Sequence, residues 1–178
     1  MLRVVAGELG GRRIASPPRR SAAVRPTSDR VREALFSILG DVAGAAVLDF
    51  YCGTGALGIE ALSRGAARAT LVDTRTSLAH RNVAGLDLEE RCEVIRSDAL
   101  RHLRRTRRRF DLIFCDPPYR LADRLEGELD LLAPARLAEG GRLIVESSTR
   151  RPLQLGLPLA AERRYGDTLI RIHMRGTS

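Results

Sequence analysis

The sequence predicts a doubly wound α/β fold, a mainly parallel sheet with helices on both faces, and three observations carry that reading. Short apolar runs recur from residue 45 onward, each followed by a stretch of helical spacing. The first of these runs empties into a glycine-rich turn, as strand-to-helix turns in such sheets do. At 178 residues with 44% apolar composition, the chain has the size and core-forming capacity of a single compact domain.

In chain order, the first 25 residues read as two short strands, Leu2–Ala6 and Arg12–Ala15, joined through Gly7 and the Gly10-Gly11 pair. Pro17-Pro18 and the following arginines then lead away in a loop. Thr27 or Ser28 can cap a helix running to about Leu39, with Val31, Ala34, Leu35 and Ile38 as its apolar face. Strands follow at Ala46–Phe50, Ala69–Asp73, Cys92–Arg96, Phe110–Cys115 and Arg142–Glu146. Helices are expected between them around 56–64, 76–86, 98–105 and 123–133, and this alternation implies a parallel sheet with helices on both faces. The end differs: Ala161–Tyr165 and Thr168–Met174, split by Gly166-Asp167, read as an antiparallel hairpin. The expected division is a small basic appendage at 1–25 and a main domain at 26–178.

Charge narrows the partners. The net charge is +8, and all 30 basic residues are arginine. A field of that sign favours a polyanion, and the guanidinium fork suits phosphate oxygens. Biased base composition in the coding sequence also accounts for the missing lysines. Residues 1–32 hold eight arginines against Glu8 and Asp29. A second cluster, Arg101, Arg104, Arg105, Arg107, Arg108 and Arg109, reads equally as a phosphate contact or as a solvated helix end. No run approaches the roughly 18 apolar residues of a membrane span, and no signal peptide is evident. Cys52, Cys92 and Cys115 lack metal-ligand spacing, so no metal is expected, and a reduced, cytoplasmic protein is.

The chemistry concentrates at four predicted strand ends. Val47-Leu48-Asp49-Phe50 leads into Gly53-Thr54-Gly55-Ala56-Leu57-Gly58, a G-x-G-x-x-G turn over which a ligand can lie close to the backbone. A dinucleotide would set its pyrophosphate near Asp49, which repels it. S-adenosylmethionine carries an ammonium and a sulfonium instead, and an acid there attracts it. Asp73, ending the next strand, can take the ribose hydroxyls, and Asp98, after the third, the adenine amino group. Each of these acids also reads as a cap for the helix that follows.

Asp116-Pro117-Pro118-Tyr119 ends the fourth strand, because successive prolines cannot continue a sheet. Asp116 and the Pro117 carbonyl can hold the two hydrogens of a planar amine, and Asp116 can collect the departing proton. Tyr119 would stack on the base, worth about 1–3 kcal/mol. Cys52 and Cys115 read as small buried hydrophobes, and no role falls to the histidines.

Asp49, Gly53-Thr54-Gly55, Asp73, Asp98 and Asp116-Pro-Pro-Tyr119 together resemble the S-adenosylmethionine-dependent amino-methyltransferases. The segment Arg3-Val-Val-Ala-Gly7, Gly11-Arg12, then Arg25-Pro26-Thr27-Ser-Asp-Arg30-Val-Arg32-Glu33-Ala-Leu-Phe36 is similar to the bacterial small-subunit rRNA methyltransferase D family. That resemblance covers nearly the whole chain. It implies a Rossmann-like class I methyltransferase sheet, transfer to N2 of a guanine in 16S rRNA, and an assembled small subunit or late particle as substrate. It also implies that the N-terminal hairpin grips RNA through Arg3, Arg12, Arg13, Arg25 and Arg30. The chain departs from many relatives at Gly10, where they carry a basic residue. The motif at 116–119 by itself leaves adenine and glutamine amides open. A non-catalytic RNA-binding assembly factor and a nicotinamide oxidoreductase are the readings from other classes; the occupied cofactor positions disfavour the first, and Asp49 with the proline pair the second.

Overall fold

The computed structural model of the chain describes residues 2–17, 28–118 and 121–176, without the side chains of residues 122 and 123. Its centre is β3 (Ala46–Phe50), buried at all five positions. A strand covered on both faces needs such a continuous apolar run. Around it, β4 (Arg68–Asp73), β5 (Cys92–Arg96), β6 (Phe110–Cys115), β7 (Leu137–Ser148), β8 (Leu159–Tyr165) and β9 (Thr168–Met174) form one sheet in the order β5-β4-β3-β6-β7-β9-β8. β3 to β7 are parallel; β9 runs antiparallel to both β7 and β8. The order reverses between β3 and β6, which opens a crevice at their carboxyl ends.

Helices cover both faces, as expected. On one face α1 (Asp29–Leu39), α2 (Ala56–Ser63) and α3 (Ser77–Gly85) pack with Val47, Leu71, Leu112, Phe114 and Ile144. On the other, α4 (Ala99–Arg105) and α5 (Ala122–Arg136) pack with Leu48, Phe50, Val72, Ile113 and Val145.

The N-terminal strands, β1 (Leu2–Arg3) and β2 (Arg13–Ile14), are antiparallel but shorter than the sequence suggested. The cause is competition for backbone donors. Val5 and Ala6 give their N–H groups to the Glu60 carboxylate at 2.7 and 3.0 Å, and Ala15 gives its N–H to Asn82 Oδ1 at 2.7 Å. Leu2, Val4 and Ile14 join the core on the α2 side, so the hairpin is seated on α2 and α3. Gly7 makes that close seat possible: at φ +84°, a Cβ there would lie 1.9 Å from the Ser63 carbonyl oxygen.

Three further boundaries and one face differ from expectation. Ser28 caps α1 by accepting from Val31 N, but the buried side chains are Arg32, Leu35, Phe36 and Leu39. The face is rotated because Arg32, fully buried, donates to Asp29 Oδ1 at 2.9 Å and to the Arg3 carbonyl, tying α1 to the hairpin. β7 begins five residues early, at Leu137 opposite Phe110, through an irregularity that spans Gly140-Gly141. α5 runs past Pro134 to Arg136, since proline near a last turn forfeits only one backbone bond. β8 begins at Leu159, two residues before the expected start, through a register shift against β9 between Leu159 and Ala161.

Candidate functional site

Strand register decides which side chains share the crevice. Asp49 pairs with Leu71 on one side and Phe114 on the other, and Phe114 pairs with Ile144. Side chains alternate along a strand, so residues two positions further on keep the same face. Asp73, Asp116 and Glu146 each lie two positions beyond those partners. Four acids therefore gather on one face at the carboxyl ends of four adjacent strands.

Their electrostatics follow from that crowding. Asp49 is 2% exposed and accepts one hydrogen bond, from Gly58 N in the first turn of α2 at 3.0 Å. Burial pushes its carboxyl up to about 7; the Gly58 N–H opposes the shift and Asp73 adds to it. Asp116, half-buried immediately before Pro117, is raised well above the usual carboxylate range by burial, then by Glu146 and Asp49. Carboxylates that repel one another in a desolvated crevice are stabilised by an incoming cation.

The glycine turn closes over this cluster. Asp73 accepts from Gly53 N at 3.0 Å and from Arg75 N at 2.9 Å. Gly53 is exposed, while Thr54 and Gly55 are buried beneath it. Gly55 begins α2 at φ +79°, where a Cβ would meet Leu71 Cδ1 at 2.7 Å. The Thr54 carbonyl is held by Asn82 Nδ2 at 2.8 Å, and the same amide group donates to the Ala15 carbonyl at 3.0 Å. Asn82 thus joins the glycine turn to the N-terminal hairpin. Asp98, exposed at the β5 end, caps α4 by accepting from Arg101 N at 2.9 Å through Oδ1.

Two residues enter the site that the sequence did not suggest. Glu146 reads in the sequence only as a strand end; parallel register with Asp116 would have revealed it. Tyr51 follows β3 at φ +55°, a left-handed conformation costly for an aromatic residue and typical of functional turns. Its ring packs with the core on the α4 and α5 side of the sheet, and burial, then Cys115, Asp98 and Asp73, suppress its ionisation, with Arg124 opposing. The thiols behave as expected: all three cysteines are buried, with burial pushing Cys92 up to about 12 and Cys52 and Cys115 higher still.

Of the arginines expected to meet RNA, Arg3 and Arg13 stand directly opposite each other on the hairpin, both exposed. Arg3 Nε reaches Asp29 Oδ2 at 3.2 Å, and Arg12 donates to the Gly85 carbonyl at 3.2 Å. Arg30 is exposed on the first turn of α1. Arg25 and Tyr119 lie outside the described residues. Gly10 is exposed in the turn, its N–H donating to the Gly7 carbonyl at 3.1 Å. Among the described residues no group of three or more His, Cys, Asp or Glu side chains is placed to hold a metal, and no helix is long and apolar enough to cross a membrane.

Known proteins share the family and the fold. The family model described as Conserved hypothetical protein 95 matches residues 2–174. The Escherichia coli K12 protein named Ribosomal RNA small subunit methyltransferase D is 35% identical over 98% of this chain and 90% of its own length. The solved Escherichia coli protein yhhF superposes with a TM-score of 0.84 at 32% identity, covering 99% of both chains. A solved hypothetical protein of Thermus thermophilus gives 0.82 at 28% identity over 97% of this chain and 99% of that one.

Proposed function

We propose, for a chain that belongs to the ribosomal RNA small subunit methyltransferase D family (Conserved hypothetical protein 95), that it methylates N2 of a guanine in 16S rRNA using S-adenosylmethionine. One observation carries the reading: Asp49, Asp73, Asp116 and Glu146 on one sheet face beside a glycine turn. That arrangement fits a cationic nucleoside and opposes a pyrophosphate.

Gly53, Thr54 and Gly55 would carry the donor along the turn, with Asp73 toward its ribose and Asp98 toward its adenine. Asp49 stabilises the cationic end by its charge. Bound there, S-adenosylmethionine supplies a methyl group activated by a sulfonium. Asp116 and the Pro117 carbonyl accept the two hydrogens of the guanine amine, turning its lone pair outward and drawing it from the ring. Asp116, its ionisation restored by the neighbouring cation, then holds the proton the amine releases. Tyr119 stacks on the guanine.

The hairpin supplies the grip on RNA. Like charges directly opposite on two strands destabilise a sheet, and a phosphate between Arg3 and Arg13 relieves this. Arg12 and Arg30 extend the same basic surface, and Arg25 belongs to the same expected set of phosphate contacts. An assembled small subunit or late intermediate in the cytoplasm is the substrate.

Purified protein, labelled S-adenosylmethionine and unmethylated 30S particles should yield N2-methylguanine, and Asp116→Ala should abolish it. Label in adenine or in protein, or none at all with S-adenosylhomocysteine still bound, would reject the assignment.

A further inference from the structure

The second arginine cluster lies at the opposite end of the sheet from the acids. α4 ends at Arg105, and the segment 106–109 leads into the amino end of β6. Asp116 follows the carboxyl end of that six-residue strand, so the two sites are about 20 Å apart. Beside the segment, against the edge strand β5, is a pocket of about 530 Å³ lined by Glu93, Ile95, His102 and residues 105–108.

The helix dipole explains only part of this charge. Cations in the last turn of α4, such as Arg104 and Arg105, offset the dipole, but Arg107, Arg108 and Arg109 lie beyond the helix. Acidic partners are too few. Arg104 pairs with Glu128, and Arg108 with Glu93 at 2.6 Å. Arg101, Arg105, Arg107 and Arg109 are exposed, and no ion pair engages them among the described residues. Exposed guanidinium groups without ion-pair partners match the oxygens of a phosphodiester.

We propose that Arg105 and Arg107, with Arg109 at the flank, form a second RNA-backbone site at the amino end of the sheet. This rests on the rRNA reading above and deepens it. Contacts at both ends of the domain require RNA that passes around it, which a folded rRNA surface provides and a lone extruded base does not. The site carries affinity and orientation, and no base specificity.

The test compares wild type, R105Q/R107Q and R105K/R107K in equilibrium binding to 30S particles and to protein-free 16S rRNA across a salt series, independently of methyl transfer. Losing two phosphate contacts should weaken binding to both RNAs roughly 5- to 50-fold and flatten the log–log salt slope by about 1.5. The lysine pair should restore most of both, while melting temperature and S-adenosylhomocysteine affinity stay at wild-type values. Unchanged affinity and slope in R105Q/R107Q overturn the proposal. So does loss toward 30S particles with protein-free rRNA binding intact, which assigns the surface to a ribosomal protein. Failure of wild type to methylate RNA, with the slope change still seen, would count against the functional reading alone.

Discussion

Asp116→Asn removes a proton acceptor while keeping the shape of the side chain. Methyl transfer should fall about 10²–10⁴-fold, with S-adenosylhomocysteine affinity within roughly threefold of wild type, as single-turnover rates and calorimetry would show. Asp49 makes a second prediction through its ionisation. Its carboxyl rises from 3.8 to about 7 on folding, so between those values the native state binds more protons than the unfolded state. Stability then falls as pH rises through that window, by up to about 4 kcal/mol. Asp49→Asn, whose amide oxygen can still accept from Gly58, should flatten that loss in melts from pH 4 to 8. The same variant should weaken the methyl donor most at pH 8, where wild-type Asp49 is charged. Asp49, Asp73 and Asp116 were legible because each stands at or near the end of a recognisable strand, Asp49 ahead of the glycine turn and Asp116 ahead of the proline pair. Glu146 was not, since only register reveals what a strand end faces; nor was Tyr51, whose left-handed backbone leaves no mark on composition.

At the level of elements, the hairpin and α2 act as one unit through Glu60. That side chain is fully buried, accepts from Val5 and Ala6, and pairs with Arg64 at 2.8 Å. Glu60→Ala would strand two backbone donors and a guanidinium, costing about 2–4 kcal/mol. The expected fall in melting temperature is on the order of 10 °C. Gly7→Ala should separate hairpin from core: its Cβ would overlap the Ser63 backbone, so 30S affinity drops while donor binding persists. β3, β4 and β6 could be read almost residue by residue because their burial writes nearly continuous apolar runs. The hairpin strands were overestimated for a reason no local pattern carries: Glu60 and Asn82, distant in sequence, take the donors that would have lengthened them. In the same way Arg32 lay outside the expected apolar face, because its buried partners, Asp29 and the Arg3 carbonyl, leave no local pattern.

For the whole molecule, binding at a switch-point crevice ties ligand to global stability. S-adenosylhomocysteine at 100 times its Kd should add about 2.7 kcal/mol and raise the melting temperature by roughly 5–10 °C, a shift that differential scanning fluorimetry would resolve. Architecture was the most legible level of all, since alternating strands and helices admit few topologies. The insertion of β9 between β7 and β8 was the exception, for a hairpin in sequence does not say which arm meets the sheet. The interior also holds Cys52, Cys92 and Cys115, each sealed within a strand of the sheet or the turn that follows one. A maleimide dye can reach them only when the chain opens, so its rate of uptake at saturating reagent is a clock for spontaneous unfolding, readable without denaturant and slowed by whatever ligand locks the molecule shut.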